Sequence, residues 1–409
     1  MSEELKTAQK QEQEISSQLS MRRLILPVLL GLATAGWLMW RTLDEVKFVQ
    51  APQGQTAQWE WVDGNANGAI DFSDPADFAP SETGTYLRKT SWQLLGEQEF
   101  DAWAVWALVG ALLMVILREA GYTYRMRVLT DKQLSWKQSF QVVMLWEFSS
   151  ALTPSVVGGS GVAIYFLNKE GLNLGKATAT IFVTAMMDEL FYILSVPIVF
   201  LLIGGDALYP ADWADGSFGQ GAVQSLFYLG YGFIVLLTLT ITSSLFLFPR
   251  RLKRLLMRLF SLPILRRWRK DITQAGQEIE IASVELKGRP ASYWAKAMGS
   301  TVLSWTARFV TLNFIIMAFV GPIGQGVVYG RQMVMWVIML ISPTPGSSGV
   351  AEYFFSIFFA DIVTIGAQVL LIALLWRFLT YFIYLIMGAL ILPRWYRRVQ
   401  GNKVPTAAG

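Results

Sequence analysis

Long apolar stretches alternate with segments that hold most of the charge. The stretches are comparable in length to the roughly 20 apolar residues that cross a bilayer core. They cover residues 24–40, 102–117, 177–203, 223–248, 297–320 and 362–392, the last being longer than one straight crossing needs. The pattern predicts an all-α polytopic membrane protein with about six full transmembrane helices. The first stretch also has some features of a secretion signal, but its long polar start favours an uncleaved helix.

Two Gly/Ser-rich breaks interrupt apolar sequence far apart in the chain. Residues 158–166 read Gly-Gly-Ser-Gly-Val-Ala-Ile-Tyr-Phe and residues 346–354 read Gly-Ser-Ser-Gly-Val-Ala-Glu-Tyr-Phe, with seven of nine positions identical. A helix breaks in lipid only where protein or water satisfies its backbone, because each unpaired group costs several kcal/mol. A duplicated break is typical of a transporter built from two related halves. Chance similarity between two glycine-rich breaks is the alternative.

The distribution of Lys and Arg predicts the orientation. Basic residues are concentrated in 1–23, 118–137, 250–270 and 394–409, whereas the 42–101 and 204–222 loops are acidic. The positive-inside rule then places both termini in the cytoplasm. With six crossings, residues 138–168 must enter and leave on the cytoplasmic side, and residues 332–358 on the outer side. We therefore expect two re-entrant broken-helix motifs that form an inverted repeat.

This topology divides the chain into six parts. They are a cytoplasmic N-terminal segment (1–23), two spans with an extracytoplasmic loop at 42–101 (24–137), a first repeat half (138–248), a basic cytoplasmic segment (249–296), a second repeat half (297–393) and a cytoplasmic tail (394–409). The basic segment is amphipathic, so we expect it to lie on anionic inner-leaflet lipids. Self-association into a homo-oligomer is compatible with the sequence.

The extracytoplasmic loop contains a twelve-residue pattern of the EF-hand type at 63–74. Hard oxygen ligands on alternate residues, with Gly at the sixth position, suit calcium. The predicted ligands are Asp63, Asn65, Asn67, Ala69 through its carbonyl, Asp71 and Asp74. The last ligand is Asp rather than the longer Glu, so we expect weak, structural binding. The alternative is an Asn/Gly-rich surface turn without metal.

Ionisable residues inside apolar spans are costly and usually face a cavity or a partner. Arg binds phosphate through a planar fork, and a helix start after a Gly/Ser turn offers backbone N–H groups to an anion. We expect the Ser side chains to cap these helix starts or to donate to a lipid headgroup. The predicted lipid-binding residues are Ser160, Gly161, Asp188, Glu189, Arg308, Pro345, Gly346, Ser347, Ser348, Glu352 and Arg377. Ion pairs that only fix helix packing are the alternative.

Composition removes several classes of function. The 409 residues are 53% hydrophobic and 16% charged, and they include no Cys and no His. Disulfides, thiol or histidine nucleophiles and the usual zinc sites are thereby excluded. Nucleic acid is not an expected partner, because the basic residues lie between apolar spans.

The run Pro-Thr-Pro-Gly-Ser-Ser-Gly-Val-Ala-Glu at 343–352 resembles the most characteristic motif of one family. This is the transmembrane, flippase-type domain of lysylphosphatidylglycerol synthases and its stand-alone relatives. The resemblance extends more weakly over about 138–392, including the acidic pair at 188–189. It implies translocation of a lipid in the cytoplasmic (inner) membrane of a prokaryote, without the soluble aminoacyltransferase domain.

The leading hypothesis is therefore a flippase for a phospholipid or another phosphate-bearing lipid rather than an enzyme. There is no Walker-type nucleotide loop, so transport would run downhill or on an ion gradient, with Asp188 or Glu189 carrying protons. The alternatives are an integral-membrane transferase acting on lipid-linked substrates and a non-catalytic partner of an envelope lipid enzyme.

Overall fold

The computed structural model describes residues 46–52, 55–64, 74–97, 100–152, 159–209, 220–247, 286–340, 350–359, 361–363 and 366–401, with isolated residues at 40, 70, 258, 280 and 283–284. The chain divides into two compact units, one formed by 1–101 and 363–375 and the other by 102–362 and 376–409. The predicted first span at 24–40 lies outside the described residues except for Trp40. It stays a prediction.

An antiparallel four-stranded sheet occupies the first unit. Its strands are β1 Val46–Gln50, β2 Ala57–Trp61, β3 Phe78–Gly84 and β4 Tyr86–Thr90, in the order β1-β4-β2-β3, followed by helix α1 Ser91–Gly96. The buried rings of Phe48 and Phe78 stack 4.1 Å apart. Gly84 passes so close to β2 that a Cβ there would lie 2.3 Å from the carbonyl oxygen of Trp59. The sequence predicts a loop at 42–101, and the sheet within it was not predicted.

Helices make up the described part of the second unit. They are α2 Ala102–Leu129, α3 Trp136–Leu152, α4 Ser160–Lys169, α5 Leu174–Ile203, α6 Gly205–Leu208, α7 Gln220–Thr242, α8 Ala291–Val320, α9 Gln325–Met339, α10 Val350–Phe359 and α12 Ile383–Gly401. Helix α11, Gly366–Arg377, crosses the boundary between the units and is joined to α12 by a π-helical turn at Phe378–Phe382.

Within the described residues, five helical stretches are long and apolar enough to cross a membrane. They are Ala102–Leu129, Leu174–Ile203, Gln224–Thr242, Ala291–Val320 and Leu371–Val399. Each overlaps one of the predicted spans from the second to the sixth. The prediction of an all-α polytopic membrane protein is confirmed, and the sheet is an addition to it.

Local sequence explains the ends of two long helices. The side chain of Asn173 caps α5 by accepting a hydrogen bond from the N–H of Lys176 at 2.7 Å. Helices α5 and α8 both end at glycines with positive φ, 89° at Gly204 and 93° at Gly321. This left-handed conformation strains any residue with a Cβ, so glycine stops both helices.

The predicted second span at 102–117 was too short. Helix α2 continues to Leu129, and Arg118 and Arg125, which the sequence reading assigned to a cytoplasmic segment, are buried at 1% and 4% exposure. Hydropathy ended the span early because a polar helix face covered by protein has the same composition as a loop. The basic residues that remain at this end include Arg127 and Lys132.

Helices α3 and α4 form a hairpin. Gln138, near the start of α3, donates a hydrogen bond to the carboxylate of Glu170, just after α4, at 2.8 Å. At the other end, Gly159 lies against α3, where a Cβ would meet the hydroxyl oxygen of Ser150 at 2.1 Å. The two helices are therefore antiparallel, and α4 is about 15 Å long, half the thickness of a bilayer core.

Helices α9 and α10 form a second hairpin. Arg331, in α9, donates to the carbonyl oxygen of Phe358, in the last turn of α10, at 2.8 Å. The same guanidinium makes two hydrogen bonds, of 2.5 and 2.9 Å, with the carboxylate of Asp361. An acid that follows the short helix thus closes the open end of each hairpin.

Candidate functional site

Helices α2 and α8 pack against each other in opposite directions. Gly110 of α2 lies against Phe314, and Gly121 lies against Ser304. Further along α2, Arg125 donates a hydrogen bond to Thr301 at 2.8 Å. Residue numbers rise along α2 as they fall along α8, so the pair is antiparallel.

The helix order of the first half recurs in the second. The first residues of α2 and α8, Ala102 and Ala291, are 189 residues apart, and so are those of α3 and α9, Trp136 and Gln325. The paired helices have similar lengths, 28 and 30 residues for α2 and α8, and 10 residues each for α4 and α10. In the first of these pairs, α2 and α8, the two helices run in opposite directions.

Arg118 lies where α2 and α8 meet. The hydroxyl of Ser304 donates to the carbonyl oxygen of Arg118 at 3.1 Å. The Arg118 guanidinium, 1% exposed, donates to Glu147 of α3 at 2.8 Å and to the hydroxyl of Tyr384. Tyr384 in turn donates to Glu119 at 2.7 Å. These hydrogen bonds join helices α2, α3, α8 and α12 around the buried residue Arg118.

Asp188 is held two turns along α2 from Arg118. Arg125 donates two hydrogen bonds to its carboxylate, at 2.5 and 3.2 Å, and the indole N–H of Trp305 donates a third at 2.8 Å. Three donors that include a guanidinium stabilise the charged form of a carboxylate. Asp188 therefore belongs to a hydrogen-bonded ion pair that connects α2, α5 and α8.

Arg308 is the predicted phosphate ligand with the most open environment. Its guanidinium lies over the rings of Trp305 and Trp336, 5.0 and 4.1 Å from their centres, and the side chain is half-buried. Among the described residues, no carboxylate forms an ion pair with it. The rings hold the cation without taking its hydrogen-bond donors, so the fork is available to an anion.

Arg377 lies beside the tip of the first hairpin. It is 6% exposed, and its guanidinium is 4.2 Å from the ring centre of Tyr381 in the π-helical turn. The Tyr381 hydroxyl donates to the carbonyl oxygen of Ala151, in the last turn of α3, at 3.2 Å. Single π-helical turns inside longer helices occur frequently at functional sites.

Three further predicted residues, Ser160, Gly161 and Glu189, lie in described helices. Ser160 and Gly161 begin α4, but Gly159 occupies the N-cap position and no side chain caps the helix. The expectation that Ser160 caps α4 is therefore not met, because the cap falls one residue earlier. Glu189 is 9% exposed in α5.

Part of the predicted set lies outside the described residues. This is so for Pro345, Gly346, Ser347, Ser348, Asn65, Asn67, Ala69, Asp71 and the side chain of Glu352.

Sequence reasoning missed Arg118, Arg125, Tyr384 and Trp336. One signal was present: residues 118, 122 and 125 follow the helical spacing of one face and all carry polar or aromatic groups. Extending the second span by three turns would have placed this face inside the protein. The partners of these residues on other helices had no such signal.

The chain is similar to known proteins over most of its length. Residues 76–388 match the model of the family described as the lysylphosphatidylglycerol synthase TM region. A UPF0104 membrane protein of Archaeoglobus fulgidus is 23% identical over 311 residues, which cover 75% of this chain and 88% of that protein. No solved structure matches. This multi-pass membrane protein belongs to the lysylphosphatidylglycerol synthase TM-region family.

Proposed function

We propose that the protein moves a phosphate-bearing lipid between the leaflets of a prokaryotic cytoplasmic membrane. The observation that carries this proposal is Arg308, a guanidinium within a membrane span that rests on two indole rings and forms no salt bridge with a carboxylate of the described chain. A charge at this depth is costly unless it faces a cavity or meets an anion. A lipid phosphate is such an anion, and the apolar surroundings suit acyl chains.

The two hairpins provide the path in this proposal. We infer that α3–α4 dips in from the cytoplasm and α9–α10 from outside, as the two re-entrant motifs of an inverted repeat with both termini inside. The recurring helix order, the antiparallel α2 and α8 and the short α4 and α10 support this reading. Substrate sites of such transporters lie near the midplane between the repeats, where Arg118 meets α8.

The names of related proteins support a lipid partner. The family description refers to a lysylphosphatidylglycerol synthase, which is named after a phospholipid. In our proposal the membrane region of this chain handles a lipid in the same broad sense, while the headgroup it accepts is set by Arg308 and its surroundings. The anionic inner leaflet is the second lipid partner, through the basic segment at 249–296.

Purified protein in liposomes tests the proposal. Fluorescent phosphatidylglycerol placed in one leaflet is the probe, and a glycosyl diacylglycerol with the same label and no phosphate is the matched lipid. We expect the protein to speed movement of the first lipid between leaflets much more than that of the second, without chemical change. A chemically modified lipid would favour the transferase alternative, and no movement of either lipid would contradict transport.

A further inference from the structure

Glu189 is a buried acid without a hydrogen-bond donor in the described chain. Its side chain is 9% exposed within membrane-spanning helix α5, and its Oε2 atom has no hydrogen-bond partner there. The neighbouring Asp188 accepts three hydrogen bonds from Arg125 and Trp305. Two adjacent carboxyl groups thus have opposite surroundings.

The packing of α5 on α7 shows which residues of α7 lie at the level of Glu189. Tyr231 of α7 donates to the carbonyl oxygen of Ile193, one turn after Glu189, at 3.1 Å. Because the chain reverses between α5 and α7, Glu189 lies one turn further along α7, near residue 235. Thr238 is within one turn of that level, and its buried hydroxyl also has no partner in the described chain.

The packing of α5 on α9 shows which part of α9 lies at the level of Glu189. Gly330 of α9 lies against Val199, where a Cβ would be 3.0 Å from the Val199 side chain. Further along α9, a Cβ at Gly230 of α7 would be 2.8 Å from the carbonyl oxygen of Val337. Counting back from Val199, Glu189 lies at the level of Met339, the last residue of α9.

The helices packed on α5 bring no positive charge to Glu189 in the described chain. Helix α7 contains no charged residue. Arg125 of α2 is bonded to Asp188, and Arg331 of α9 is bonded to Asp361. The charged group that interacts electrostatically with Glu189 in the described chain is Asp188, and its charge is also negative. The other ionisable groups on the packed helices are Arg118, Glu119, Tyr122, Tyr124, Arg127, Tyr165, Lys169, Asp206, Tyr228, Tyr231, Tyr293, Lys296, Arg308 and Tyr329.

We propose that Glu189 is a proton-binding site and that lipid movement is coupled to its occupancy. An ionised carboxylate without a partner is expensive to bury, so the packed arrangement favours the neutral acid. When α5 separates from α7 and α9, water reaches the group, its O–H bond breaks and the proton passes to water. The carboxylate binds a proton again before the helices close. Asp188, whose carboxylate oxygens accept hydrogen bonds from Arg125 and Trp305, does not take part.

Infrared spectroscopy of the whole protein in lipid tests the proton site without any transported lipid. At about pH 7, where a free Glu is ionised, we expect a carboxylic-acid C=O band that is lost in Glu189→Gln. The exposed acid Asp206 is the control, and Asp206→Asn should keep the band. An identical band in wild type and Glu189→Gln would overturn the proposal.

A second experiment tests the coupling, which rests on the proposed lipid transport. In the liposome assay we expect an imposed pH gradient to shift the lipid distribution between leaflets for wild type and Asp206→Asn, and not for Glu189→Gln. A wild-type distribution that ignores the gradient while lipid still moves would overturn the coupling. If no lipid moves at all, transport and the coupling fail together, and the infrared result still decides whether Glu189 binds a proton.

Discussion

Arg125 and Asp188 are 63 residues apart in sequence and join α2 to α5 through two hydrogen bonds of 2.5 and 3.2 Å. The sequence alone left open whether Arg308 or Arg377 pairs with this acid. The structure gives that role to Arg125. Arg118 and Arg125 are thus each bonded to an acid, Glu147 and Asp188, whereas Arg308 rests on aromatic rings.

The Arg125–Asp188 pair makes a prediction about stability. Arg125→Ala leaves a carboxylate without its charge partner in a membrane interior, which we expect to cost about 3–5 kcal/mol. Adding Asp188→Ala removes that charge and should restore part of the stability. Thermal unfolding in detergent of the single and double variants measures this coupling. If the stability losses of the two single variants simply added in the double variant, the ion pair would not be coupled and the prediction would be wrong.

Arg308 makes a prediction about transport. Arg308→Lys keeps the charge but loses the planar fork that binds two phosphate oxygens at once. Lipid movement in liposomes should fall, while thermal stability in detergent changes little. Arg127→Lys is the matched control, because Arg127 also lies over an indole ring, that of Trp136, at 4.5 Å. Equal losses in both variants would argue against a phosphate site at Arg308.

The opposite entry of the two hairpins is testable with thiol reagents. The chain has no cysteine, so single cysteines are clean probes. In oriented vesicles, Ser160→Cys should react with impermeant reagent from the cytoplasmic side and Ser347→Cys from outside. In the same topology, Lys132→Cys should react from the cytoplasmic side and Asp206→Cys from the outer side. Labelling of both serine positions from one side would end the inverted-repeat proposal.

Asp131 gives the segment between α2 and α3 a dependence on pH. Its burial raises the pKa, but hydrogen bonds from Lys176 and from Arg289, the latter at 2.7 Å, outweigh this and hold the pKa below its usual value. The carboxylate therefore stabilises the fold above the unfolded pKa of about 3.9. That contribution is lost as pH falls through the lower folded value.

The test is Asp131→Asn, which removes the titrating group. We expect the variant to be less stable than wild type at neutral pH and the two to converge below about pH 4. Thermal unfolding in detergent across this range gives both curves. A constant difference down to the lowest pH would contradict the assignment.

The predicted calcium loop joins β2 to β3. Its ends are held together, because the N–H of Val62 donates to the carbonyl oxygen of Asp77 at 2.8 Å. Asp63 has a φ of 46°, and Asp74 accepts a hydrogen bond from the N–H of Ala76 at 2.9 Å. Four of the six predicted ligands lie outside the described residues. Calcium binding therefore stays a prediction.

Calorimetry on the purified protein tests this binding. We expect calcium uptake in about the millimolar range, as in calcium-binding modules whose sites have few carboxylates. Asp63→Ala should abolish it, and Glu82→Ala, on the neighbouring strand β3, should not. Identical titrations for wild type and Asp63→Ala would rule out the loop as the site.

Much of the membrane architecture was predictable because hydropathy is a local property of the chain. Five of the predicted spans overlap the long apolar helices of the structure. The sheet was missed because β1 and β2 are five residues long and are separated by Gly, Pro and Gln rather than by a tight hairpin turn. Short strands of this kind carry a weak signal.

The polar centre was harder to predict because its contacts are not local. Tyr384 is 266 residues from Arg118, and nothing near Tyr384 in sequence marks it as a partner. Asp188 and Arg308 were recognised because a charge inside an apolar span is conspicuous. Trp305, which contacts both, looked like an ordinary aromatic residue of a span.

Glu119 and Arg308 are 189 residues apart, as are Ala102 and Ala291, so they occupy the same position in corresponding helices. The two residues carry opposite charges. Had two identical copies of an ancestral half paired in opposite orientations, each residue at this position would have faced its own copy, and any charge there would have met a like charge. Within one chain that constraint is absent, because the two positions are separate residues and one can be acidic while the other is basic.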